Sequence, residues 1–163
     1  MKWIVLFAML LAAPPATPAP AVYTRLLFGA CTDRSFEVPV GINEDMAQPK
    51  RPFRCDQAIV AFLDRQNRRI RIRFQATSGS AEVSSLTFTG VRQRDGQTIS
   101  VTAFAFGDEA ALAANGYCHL FIDGANLTAI LCSTSYSRNA THSAVAAFAA
   151  SPGQSLGLDD EGP

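Results

Sequence analysis

Arg69-Ile-Arg-Ile-Arg-Phe74 is the run whose residue types and spacing best suit a chemical task. Side chains alternate along a strand, so Arg69, Arg71 and Arg73 share one face while Ile70, Ile72 and Phe74 share the other. Neighbouring arginines then stand about 6.5–7 Å apart, with Arg65 and Arg68 at the adjoining turn. A guanidinium is a planar, bidentate donor, so such a ladder can clamp phosphate or carboxylate groups. The plainer role for the same arginines is to keep a strand's outer face soluble and to discourage edge-to-edge pairing. Residues 50–73 carry eight basic side chains against Asp56 and Asp64, although the chain as a whole has a formal charge of zero. Any polyanion contact therefore has to use this middle segment. A nucleic-acid reader needs a broader basic footprint and a groove-entering element, so no nucleic acid is expected as partner.

Other candidate chemistry is thinner. Cys118-His119 invites a Cys–His catalytic reading, but adjacent strand residues point to opposite faces, and a disulfide-bonded cysteine offers no thiolate. His119 reads as an exposed histidine. The cysteine spacings match no CxxC zinc pattern, and only His119 and His142 could assist, so no metal is expected. There is no Gly-x-Ser-x-Gly, His-Glu-x-x-His or phosphate-binding glycine loop. Glu44-Asp45 and Asp108-Glu109 are carboxylate pairs, but sequence neighbours rarely converge on one substrate. No enzyme and no cofactor are expected. Asn126-Leu-Thr128 and Asn139-Ala-Thr141 match the N-glycosylation pattern, but the Ala/Arg-rich composition looks bacterial, so bare asparagines are expected.

The elements that position these groups follow from periodicity. Tyr117–Cys132 reads as a hairpin with a cysteine at each end around Asp123-Gly-Ala-Asn126. A three-residue loop, Gly124–Asn126 with Asn126 left-handed, sets Ile122 opposite Thr128, Leu120 opposite Ile130 and Cys118 opposite Cys132. The register that buries the apolar residues thus also pairs the sulfurs, leaving Cys31–Cys55 as the second disulfide. A second hairpin, Val83–Phe106, turns at Asp95-Gly96. Its simple register sets Leu86 against Ala105, Phe88 against Ala103, Gly90 against Val101 and Arg92 against Ile99. Thr87, Thr89, Thr98, Ser100 and Thr102 then line the other face with Phe104 and Phe106. Should a long loop fold over the sheet end, Met46, Phe53, Phe104 and Phe106 could form an exposed apolar patch, although such residues are more often core.

Ala58–Leu63 reads as a strand covered on both faces, Asp64–Asn67 as a turn, and Tyr23–Gly29 and Ser35–Val40 as further strands. Gly41–Arg54, with Pro49 and Pro52, reads as a long loop. Gly107–Gly116 is expected to be one short helix, N-capped by Asp108, rich in alanine and stopped by Asn115-Gly116. Ala144–Ala149 is expected to be a last strand. The sum is an all-β, single-domain antiparallel meander with one short helix, a small sandwich or up-and-down barrel of about 7–8 strands with two disulfides.

Met1–Ala13 has one positive charge and then an apolar run, followed by a Pro/Ala-rich stretch ending at Ala21. This is the order of a secretory signal peptide cleaved after Ala21, or after Ala13. The run is too short to span a bilayer, and Cys31 lies too late for a lipidated cysteine. The expected organisation is a signal peptide over 1–21, one β domain over 22–152 and a disordered acidic tail over 153–163. The expected product is a non-enzymatic binding module of the periplasm or cell exterior, contacting an anionic envelope component or another exported protein and not integral to the membrane. A small barrel carrying an apolar ligand is the competing expectation.

Overall fold

The structure, a computed structural model, describes residues 21–38, 51–77, 85–137 and 141–157. Its strands are β1 (Tyr23–Cys31), β2 (Phe36–Val38), β3 (Arg51–Pro52), β4 (Gln57–Phe62), β5 (Arg69–Gln75), β6 (Ser85–Arg92), β7 (Thr98–Phe106), β8 (Leu112–Asp123), β9 (Asn126–Ser137) and β10 (Thr141–Ala150). β1 and β4–β10 form an eight-stranded antiparallel up-and-down barrel that closes where β10 pairs with β1. β2 and β3 continue β1 and β4 beyond a break, with β2 on the edge of β10. No helix occurs among the described residues.

Alternation makes the wall. Along β5, Ile70, Ile72 and Phe74 are buried while Arg69, Arg71 and Arg73 face out. The interior is a packed apolar core. Phe62, Phe74, Phe88, Phe104 and Phe148 are fully buried, and edge contacts at 5.8 Å (Phe74–Phe88) and 5.0 Å (Phe88–Phe104) link three of the rings.

Each disulfide closes a pair of neighbouring segments of the wall. Cys118–Cys132 sits inside the wall between β8 and β9. Cys31–Cys55 ties the end of β1 to the approach of β4. Close by, the buried Ser35 hydroxyl donates to the Ala147 carbonyl at 3.2 Å and accepts from the Ala147 N–H at 2.9 Å, fastening the break between β1 and β2 to β10.

Four local expectations are corrected. Gly107–Gly116 is not a helix: a turn follows Gly107, whose φ is +49°, and β8 starts at Leu112. Val101 and Thr134 flank Gly116 on the two neighbouring strands, and a Cβ on Gly116 would come 2.1 Å from the Ser133 carbonyl oxygen. Ladder bonds on both sides of β8 outweigh the weak helical preference of four alanines. Asp108 caps nothing and instead meets Arg73.

The second hairpin keeps its register near the turn, with Gly90 opposite Val101 and Arg92 opposite Ile99, but slips by one beyond it. Thr102 is bulged out, so Phe88 faces Phe104 and Leu86 faces Phe106. The bulge turns two phenylalanines from the outer wall into the core: Phe104 is fully buried and Phe106 packs against it. Phe53 is buried too, while Met46 lies outside the described residues.

In the cysteine hairpin, Cys118–Cys132 and Leu120–Ile130 pair as expected, but Ile122 faces Leu127. The loop is Gly124-Ala125, with Gly124 at φ +58° and Asn126 inside the strand. Leu127 thereby enters the core, and Thr128 swings out to donate to the Phe121 carbonyl at 3.0 Å.

Finally, the chain from Gly153 to Gly157 does not trail away. Leu127 N–H donates to the Gln154 carbonyl at 2.7 Å, and Leu156 is buried at the barrel mouth. Residues 1–20 and 158–163 lie outside the described residues, as does most of the expected long loop.

Candidate functional site: the arginine strand

The Arg69, Arg71 and Arg73 side chains project from the outer face of β5 as their spacing requires. Arg69 is exposed and the other two are half-buried. Register supplies their flanks. Arg73 lies between Ile59 on β4 and Thr87 on β6, and Arg71 between Ala61 and Thr89. Arg69 lies beside Val91. Arg71 and Arg73 are thus bordered by threonine hydroxyls on one side and by apolar side chains on the other, a surface on which an anion could meet guanidinium and hydroxyl donors together.

The three arginines are not equivalent. Arg73 donates to Asp108 Oδ1 at 3.2 Å, and the Asp108 side chain is 92% exposed. Among the described residues no ion pair engages Arg69 or Arg71. Arg73 Nε is buried without a hydrogen-bond partner among the described groups.

Arg65 and Arg68 stand exposed on the β4–β5 turn, so the five candidates form a ladder continued by a turn. Their turn is built by Asp64, whose carboxylate accepts the Arg68 and Arg69 N–H groups at 2.8 and 3.0 Å. The β6–β7 turn lies alongside, because Arg92 N–H donates to the Arg68 carbonyl at 2.7 Å. There Asp95 accepts the Thr98 and Gln97 N–H groups at 2.8 and 3.0 Å. The Thr98 hydroxyl, then the Thr98 and Gln97 amides, hold the Asp95 carboxyl below its ordinary range. Both acids near this end are therefore occupied in shaping their own turns.

Sequence reasoning missed two features. One is the set of large apolar side chains left half-exposed on the outer wall: Val22, Leu26 and Phe28 on and before β1, and Tyr117 and Phe121 on β8. The alternation that buries Leu27 and Cys118 already implied them. The other is a depression of about 240 Å³ at the barrel mouth, lined among others by Arg92, Asp95, Gln97, Gly124 and Leu156. It depends on the returning 151–157 segment, which has no periodic signal.

Cys118 is fully buried in its disulfide while His119 lies on the other face, its ring 4.7 Å from that of Phe121. The two side chains diverge, and Cys118 holds no free thiol. Asn126 is exposed, and Asn139 lies outside the described residues. No protein-family model, no curated protein and no solved structure matches the chain.

Proposed function

We propose that this protein is a non-enzymatic binding module that recognises an anionic group on an envelope component or another exported protein through the outer face of β5. The observation that carries the reading is the pair Arg69 and Arg71, outward-facing and without an ion-pair partner among the described residues, with Thr89 of β6 beside Arg71. A guanidinium is a planar, pre-organised fork, so less freedom is lost per hydrogen bond when a carboxylate, sulfate or phosphate docks than with a lysine ammonium. Export is part of the proposal: it rests on the N-terminal sequence, and two disulfides are compatible with an oxidising compartment. The competing carrier reading would need space inside the barrel, where phenylalanine, leucine and isoleucine side chains pack together.

The test is the triple variant Arg69→Ser, Arg71→Ser, Arg73→Ser, titrated with a fluorescent oligoglutamate, a sulfated polysaccharide fragment and vesicles containing an anionic lipid. Wild type is expected to bind at least one probe with an affinity that falls as salt rises. The triple variant should lose that binding at least about tenfold while melting close to wild type, because an exposed ion pair such as Arg73–Asp108 contributes about 0–1 kcal/mol. Binding that survives the triple change sinks the reading.

A further inference from the structure

The barrel is closed unevenly. β10 pairs β9 over nine residue positions, from Thr141 to Ala149, but meets β1 over only three, Gly29–Cys31 against Phe148–Ala150. One further bond, Ser151 N–H to the Phe28 carbonyl at 2.8 Å, extends this seam. The Phe28 N–H then donates to the Gln154 side chain at 3.3 Å as the chain turns away across the mouth. Beyond that point β1 runs on to Tyr23 and, among the described residues, pairs on one side only, with β4.

Strand geometry identifies the free groups. Backbone polar groups of successive residues point to opposite edges, and within β1 Phe28 bonds towards the seam while Gly29 N–H bonds to Asp56 on the β4 side. Thr24 and Leu26, in step with Phe28, therefore aim their N–H and C=O groups at the open edge. Among the described residues neither makes a bond there. Val22, Leu26 and Phe28 are 52%, 46% and 50% exposed along the same stretch, and Ile59 lies beside Leu26 on β4. Such an edge is a template for another strand.

We infer that β1 pairs antiparallel with β1 of a second copy of this chain, extending the wall across a two-fold axis. The register follows from which groups are free. Setting Thr24 opposite Leu26 of the second copy, and Leu26 opposite its Thr24, satisfies all eight open backbone groups of the two chains. The same register sets Val22 opposite Phe28 of the other copy, so these two exposed side chains face each other on the outer face, while Leu26 faces Thr24 and lies diagonal to the second copy's Leu26. The contact is self-complementary, as a two-fold interface must be. The two arginine ladders stay apart: each lies two strands from the axis, so they are separated by about 24 Å and do not repel strongly at physiological salt. The inference stands independently of what the arginines bind.

Area sets the strength. Half of an aromatic side chain is about 100 Å², so Phe28 with the smaller Val22 and Leu26 exposes less than about 300 Å², well short of the roughly 800 Å² per partner of a standard interface. Association should therefore be weak and reversible, half-complete on the order of 10–100 μM. Sedimentation velocity of the purified protein over roughly 1–500 μM brackets that range. A concentration-dependent dimer is expected. Leu26→Lys, which places a charge on the edge, and Thr24→Pro, which deletes one of its N–H donors, should each weaken it at least about tenfold, while Arg71→Ser leaves it unchanged. Should Thr24→Pro fail to fold, Leu26→Lys decides, since its side chain already stands half in solvent. A monomer throughout the range overturns the inference, as does a dimer that Leu26→Lys leaves intact or that Arg71→Ser abolishes.

Discussion

At the scale of single residues, burial and partner decide what identical side chains do. Arg73 and Arg71 alternate on one strand, yet Asp108 engages only Arg73. Arg71→Ser alone should therefore weaken oligoglutamate binding more than Arg73→Ser, a difference that parallel titrations would read. Asp95 makes a second case. The Thr98 hydroxyl and the neighbouring amides hold its carboxyl below the ordinary range, so its contribution to folding is present above the unfolded value of about 3.9 and fades as pH falls through the folded one. The melting-temperature gap between wild type and Asp95→Ala should be constant above about pH 5 and narrow on further acidification. Equal gaps at pH 3 and pH 7 would refute it. The positions of Arg69, Arg71 and Arg73 were legible from alternation alone, but the flanking Thr87 and Thr89 and the partner Asp108 come from other elements and needed the register between them.

At the scale of elements, two hairpins read correctly near their cysteines or turns and slipped elsewhere. A one-residue bulge reverses which side chains face the core beyond it, so Thr102 brings Phe104 and Phe106 inward, and a two-residue loop trades Thr128 for Leu127. In both cases the slip buries larger apolar side chains, a gain visible only once the opposite wall is in place. The helix expected over Gly107–Gly116 failed for a related reason: alanine preference is local, while β8 bonds on both edges. Gly116→Val should cost several kcal/mol, or prevent folding, because the added atoms meet the Ser133 carbonyl. A variant melting within a few degrees of wild type would contradict this packing. Cys118→Ser should cost about 3 kcal/mol in chemical denaturation, the size expected for a loop of 14 residues.

At the scale of the whole molecule, the barrel is stabilised by its filled interior and by the returning segment at its mouth. Leu156 is buried there, and Gln154 bridges β9 and β1 through the Leu127 and Phe28 N–H groups. Leu156→Ala should lower stability by about 2 kcal/mol, the lower end for a buried leucine. A chain ending at Ala150 should melt clearly below one ending at Gly157. Equal melting of both truncations would mean that the segment caps nothing.

What this sequence determined by itself is whatever depends on neighbours along the chain: the all-β class, the alternation of β5, and the cysteine pairing of a hairpin whose apolar face and sulfurs agree. What only the tertiary structure decided depends on closure. Bulge positions, the conversion of an alanine-rich run into strand and the packed mouth all arise because eight strands must meet around one core. That requirement is a sum over distant contacts, and no local preference of about 1 kcal/mol or less can stand against it.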